Sequence, residues 1–167
     1  MIPKGTVFNS NELFILITGV TAYTAMLLLP KRFNRQQTIT MLLIGAFIST
    51  FFDNTVCINP FNYYNVNDTP FTDFWDMLSF VMFGPFAYFF IYFYVVIRKN
   101  RTTYFFYITI WALISMIAEA LAWHVGVYHY KNGYQLFFSL PIYLIVLTAT
   151  MVYYHYFIQK ECIKIKD

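Results

Sequence analysis

Asp53, Asp76 and Glu119 are the residues of this chain whose type and placement could do chemistry. Glu119 lies deep inside an otherwise apolar run, Tyr104–Val127, and Asp53 and Asp76 lie near the ends of two others. A carboxyl group in hydrocarbon is costly, so it is expected to face other helices or a water-filled cavity. Carboxylates that converge in such a place can hold a hard cation, handle a proton, or act as general acid and base. Trp75 and Trp123 stand close to Asp76 and Glu119 in the chain and complete the candidate ligand-binding or proton-binding set. If a metal is bound, Asp53, Asp76, Glu119 and His124 are the candidate ligands. Oxygen ligands alone favour a divalent cation such as calcium or magnesium, and an added imidazole admits zinc or manganese. His124 is nevertheless about 140° around a helix from Glu119, and no signature spacing joins the four.

The elements that must position these acids are set by composition. The chain has 167 residues, 59% hydrophobic, 23% aromatic and 11% charged. Soluble domains carry about 25% charged residues, so so few cannot coat a water-exposed surface. Five runs qualify as spans: 13–29, 38–56, 74–97, 104–127 and 136–158. Each is near the 17–25 residues a helix needs to cross a bilayer, and none shows the period-two alternation of a membrane barrel. The expectation is one all-α transmembrane bundle, residues 1–167, in contact with the lipid bilayer of the plasma membrane. The first run is flanked by Lys4, Pro30, Lys31 and Arg32 and lacks a small-residue cleavage site, so it should remain as a span.

Orientation follows from the basic residues. Lys31, Arg32 and Arg35 follow span 1, Arg98, Lys99 and Arg101 follow span 3, and Lys160, Lys164 and Lys166 follow span 5. Lys4 and Lys131 alone fall on the other side, which predicts the N-terminus outside and the C-terminus inside. The net charge of +3 is explained by this topology. Nucleic acid is not an expected partner, because no basic face interleaved with polar residues is present. The two cysteines, Cys57 and Cys162, fall on opposite sides and should not pair.

The same basic residues act as a depth ruler. Arg35 to Asp53 and Arg101 to Glu119 are equal separations in sequence. At about 1.5 Å per residue, both acids lie about 27 Å from the inner basic line, near the outer edge of the hydrocarbon. Asp76 falls about 6 Å further out. Gly45, Ser49 and Asp53 form a small and polar stripe suited to close helix contact. Trp111, Ser115, Glu119 and Trp123 recur at the same spacing and put a polar stripe beside two indole rings. Gly84–Pro85 predicts a kink in span 3. The bland alternatives are specific. Glu119 would be a protonated acid bonded to a neighbouring helix, Asp53 would be wetted at the interface, and Asp73 and Asp76 would cap a helix. Asn9 and Glu12 read as a capping box, and His155 as part of an interfacial belt. The outer loop 57–72 reads as turns.

No zinc-protease, phosphate-loop or nucleophile-elbow motif is present. The isolated Asn67-Asp68 and Asp73 lack prenyltransferase spacing, and with three tryptophans the chain lacks the character of the translocator proteins. Phe52-Asp53, Glu119, Leu140-Pro141-Ile142-Tyr143 and Tyr154-His155 resemble features of small uncharacterised multi-span membrane proteins of Gram-positive spore-forming bacteria. That resemblance implies a bacterial, multi-pass fold and no activity. The expected function is binding or transport of a cation, proton or small amphiphile in an acidic outer-leaflet pocket. The alternatives are an accessory protein assembling with a membrane partner or with its own copies, and below both a metal-dependent enzyme acting on lipid.

Overall fold

A computed structural model describes residues 9–58, 60–67, 74–97 and 101–158. Its helices are α1 (Ser10–Leu28), α2 (Arg35–Val56), α3 (Phe74–Ile97), α4 (Arg101–His124) and α5 (Ser139–Tyr153). A 3-10 turn, Leu136–Phe138, leads into α5, and a π turn, Tyr154–Ile158, follows it. Five segments are long and apolar enough to cross a membrane. Large apolar side chains such as Leu28, Phe47, Phe105 and Ile145 stand on the outward faces.

The helix ends depart from the expected spans where local caps override hydropathy. α1 begins at Ser10 rather than Leu13, because the Asn9 amide donates to Glu12 Oε2 at 2.7 Å. α2 begins at Arg35 rather than Thr38. There the Gln37 amide donates to Asn34 Oδ1 at 2.8 Å and the Asn34 amide donates to Gln37 Oε1 at 3.0 Å. α4 ends at His124 rather than Val127. Gly126, at φ 87°, closes it while the amides of Gly126 and Val127 donate to the Trp123 and Ala122 carbonyls. That reversal belongs to glycine, which alone takes positive φ without a Cβ penalty.

The connection after α2 also departs from expectation. It contains a strand, β1 (Tyr64–Val66), which pairs antiparallel with β2 (Tyr128–Tyr130) from the connection after α4. The register sets Tyr64 against Tyr130 and Val66 against Tyr128. Turn residues were legible here, but the pairing joins segments remote in sequence, which no local signal announces. Asp73, Cys162, Lys4, Arg98, Lys99, Lys160, Lys164 and Lys166 lie outside the described residues.

α3 is the central helix, packed on α1 and α2 and reaching α4 through rings. Phe90 stacks on Tyr107 at 5.3 Å and meets Trp111 edge-on at 5.7 Å. Pro85 sits buried inside α3 and offers no amide to the Val81 carbonyl four residues back. Tyr23 of α1 supplies the missing donor, its hydroxyl reaching the Val81 oxygen at 3.0 Å. α2 crosses α3 at Gly45, where an added Cβ would stand 2.6 Å from the Gly84 carbonyl oxygen. Backbone on backbone leaves no side chain free to yield. Gly45→Ala should therefore destabilise the bundle by about 1–3 kcal/mol. Gly19→Ala, whose Cβ would meet only Met82 at 3.7 Å, should be neutral or stabilising. Thermal unfolding of the two variants in the same detergent checks the contrast.

Candidate functional site

One end of the bundle gathers the start of α3, the ends of α2 and α4, the β1–β2 pair and the start of α5. The tyrosine-rich strands therefore lie against the three helix termini that carry the acids. Below them is a cavity of about 200 Å³ lined by residues from all five helices and both strands. The stripe Gly45, Ser49 and Asp53 of α2 faces it, and so do Trp111, Ser115 and Glu119 of the α4 stripe, but not Trp123. Small residues at helical spacing leave the room, and the large rings of Phe86, Phe90 and Tyr143 form much of the wall.

Glu119 is 8% exposed and fully engaged. Tyr130 and Ser139 donate hydroxyls to Oε1 at 2.7 and 2.8 Å, and Tyr143 donates to Oε2 at 2.8 Å. Ser139 has a single hydroxyl proton, which Glu119 receives, so Tyr134 must be the donor in its 2.8 Å contact with Ser139 Oγ. The carboxyl of α4 is thus bound to α5 and to β2 together.

Asp53 is engaged on one side only. Tyr64 of β1 donates its hydroxyl to Oδ1 at 3.0 Å. Oδ2 is buried and has no hydrogen-bond partner among the described residues. Burial and the nearby Asp53 charge push the Tyr64 phenol far above the usual tyrosine range. Burial and the Glu119 bond do the same for Tyr130. Both hydroxyls therefore keep their protons, and remain donors, throughout the neutral range. Cys57, just beyond α2, is a free thiol pushed up to about 12 by burial and then by the Asp53 charge.

The remaining candidates fall elsewhere. Asp76 is 7% exposed but does not line the cavity; Asn67 donates to its Oδ1 at 2.6 Å. Asn67 holds that position with φ 54° while its own amide donates to the Val127 carbonyl. Asp76 shares a face of α3 with Phe83, Ala87 and Phe90, which line the cavity, but it stands seven residues before Phe83, about 10 Å nearer the helix start and beyond the cavity. Trp75 packs edge-on against Phe74 and lies outside the cavity. Trp123 is half exposed and stacks on Tyr130 at 6.0 Å, one residue removed from Glu119. His124 is exposed at the end of α4 and His129 is exposed in β2. No three His, Cys, Asp or Glu side chains among the described residues group closely enough to hold a metal ion, so the set Asp53, Asp76, Glu119 and His124 does not assemble.

Sequence reasoning missed the hydroxyl donors Tyr64, Tyr130, Ser139 and Tyr143. A buried acid implies donors somewhere, and tyrosines clustered in both outer connections were the signal that could have found them. The chain is thus a mainly helical bundle, capped at one end by a two-stranded pair, with five helices long and apolar enough to cross a membrane. Comparison with family models, with curated proteins and with solved structures finds no match at any of the three levels.

Two outcomes follow from this geometry. Ser139→Ala removes one direct donor to Glu119 and the link to Tyr134, and should lower stability by about 1–3 kcal/mol in thermal unfolding. Alkylation of Cys57 needs the thiolate. Its rate with iodoacetamide, followed by mass spectrometry of the Cys57 peptide, should be slow at pH 8 and still rising at pH 10.

Proposed function

We propose that this chain is a multi-pass protein of the plasma membrane, its N-terminus outside and its C-terminus inside, that binds a cation, a proton or a small amphiphile in an acidic cavity of its outer half. The role is binding or transport. The orientation rests on the basic residues, of which Lys31, Arg32 and Arg35 stand at the end of the bundle away from the cavity. The observation that carries the binding role is that Asp53 and Glu119, from different helices, line one cavity whose other walls are mainly aromatic and aliphatic. Binding sites have this composition: apolar walls with a few placed polar groups that fix orientation. A metal-dependent enzyme is less well supported, because the acids do not come together as a ligand set.

The test fills the space without touching the acids. Ala118 lines the cavity, and Ala118→Phe would occupy it. Thermal unfolding of wild type and variant in phosphatidylcholine nanodiscs is compared in sodium, calcium, an arylalkylamine and an arylalkyl alcohol. At least one of these should raise the unfolding midpoint of the wild type and leave the variant unmoved. If none separates the two proteins, the binding role is wrong.

A further inference from the structure

We infer that the cavity takes an uncharged molecule, a single aromatic ring with a short tail bearing a carbonyl, and that the Tyr128 hydroxyl donates to the carbonyl oxygen. This rests on the binding role proposed above and narrows its ligand class to a neutral amphiphile.

The wall does not suit a charged ligand. Glu119 already receives three hydroxyl protons, from Tyr130, Ser139 and Tyr143. Asp53 receives one from Tyr64 on Oδ1, while Oδ2 is sealed from the cavity. An ammonium would shed its water only to meet carboxylate oxygens that are already bonded or out of reach. Among the described residues no lysine, arginine or histidine lines the cavity, so a carboxylate or phosphate would stand unpaired beside two acids. A bare divalent cation finds no third ligating group.

One hydroxyl on the wall is uncommitted and fixed in place. Tyr64, Ser115, Tyr134, Ser139, Tyr143 and Thr150 give their protons to carboxylates, to backbone carbonyls or to one another. Tyr128 lines the cavity, its ring edge-on to Tyr64 at 5.5 Å, and makes no hydrogen bond among the described residues. The sealed polar atoms without a partner belong to Asn11, Asp53 and Asn67, so the Tyr128 oxygen keeps open surface. Burial, then the charges of Asp53 and Glu119, push its phenol far above the usual tyrosine range. It therefore stands near both acids and keeps its proton. Thr18 and Ser49 on the same wall are also unbonded, but each stands in a helix and can turn to a carbonyl of the preceding turn. Tyr128 stands in β2 and has no helical turn to donate into. An acceptor on the ligand relieves that unmet donor, and a carbonyl does so without bringing a proton that needs an acceptor of its own. Size sets the rest. At about 200 Å³ the cavity is smaller than drug-sized sites of about 300–1,000 Å³ and larger than an apolar cavity of about 150 Å³ that holds benzene. Phe86, Phe90, Val146 and Leu147 give a ring and short tail an apolar bed.

Binding of radiolabelled benzylacetone to the full chain in phosphatidylcholine nanodiscs is measured by equilibrium dialysis at pH 7, with empty discs subtracted. Saturable binding is expected, and Ala118→Phe should abolish it. Unlabelled butylbenzene, which lacks the oxygen, should compete about threefold or more less well than unlabelled benzylacetone. The amine with an ammonium in place of the carbonyl should compete about tenfold or more less well. Tyr128→Phe should weaken benzylacetone about threefold or more and leave butylbenzene within about twofold, a split that a structural defect would not give. The Tyr128 hydroxyl bonds to nothing in the fold, so this variant should melt as the wild type does, and the competition series uses wild-type protein in any case. Equal competition by butylbenzene or by the amine, undiminished benzylacetone binding by Tyr128→Phe, or persistence of binding in Ala118→Phe overturns the carbonyl ligand. Absence of benzylacetone binding overturns it as well, and the cavity-filling comparison in the four additives then decides separately whether the broader binding role survives. Discs of diether phosphatidylcholine carry no ester carbonyl. Unchanged affinity in them supports a free ligand, whereas tighter binding gives the cavity to a lipid ester and overturns it.

Discussion

A carboxyl group held in an apolar bundle must be supplied with donors, and that requirement organises one end of this molecule. Leaving such a group unpaired costs several kcal/mol, whereas hydrogen bonds to it contribute about 1.5–3 kcal/mol each. The donors to Glu119 come from β2 and from the first turns of α5, so satisfying one acid on α4 also sets where α5 begins and how the strand lies. Asp53 and Asp76 do the same for the other connection, through Tyr64 and Asn67. Each of three helices thus grips the two-stranded cap by an acid, and the cap joins connections that are remote in sequence.

The opposite end is held together by different means. There the contacts are ring on ring and ring on backbone. Tyr107 donates to the Phe90 carbonyl, Tyr94 meets His155 at 3.1 Å, and Arg32 lies 5.9 Å from the Tyr92 ring centre. Gln37 of α2 donates to the Ile158 carbonyl in the π turn at 3.3 Å. Aromatic side chains fill that half, whereas Gly45, Ser49, Ser115 and Ala118 leave space in the other. The Gly45–Gly84 crossing lies between the two halves, drawing α2 tightly against α3 just where the cavity begins.

This division of means has a functional consequence. A bundle closed largely by aromatic packing at one end and capped through hydroxyl–carboxylate bonds at the other gathers the buried acids Asp53, Asp76 and Glu119 at one end. Within that side, the acids are not equivalent. Glu119 is consumed by the architecture, and Asp53 retains an acceptor facing no donor of the described chain. The residue deepest in its apolar run drew attention from sequence, yet the shallower one has the unspent hydrogen-bonding capacity.

The sequence by itself determined that five long apolar helices form, and roughly where, because hydropathy over about 20 residues needs no knowledge of neighbours. It also placed Asp53, Asp76 and Glu119 at one end, since rise per residue is a property of a single helix. The stripes on α2 and α4 were legible for the same reason. Tertiary structure decided the rest. Asp76 lies on the cavity-facing side of α3 but is taken up by Asn67 beyond the cavity, a contact between segments that no period within α3 encodes. The β1–β2 pairing, the four hydroxyl donors and the failure of a metal set to assemble all depend on contacts between segments far apart in the chain. Helices are local and their depth is arithmetic; convergence of side chains is a property of packing, which only the folded bundle fixes.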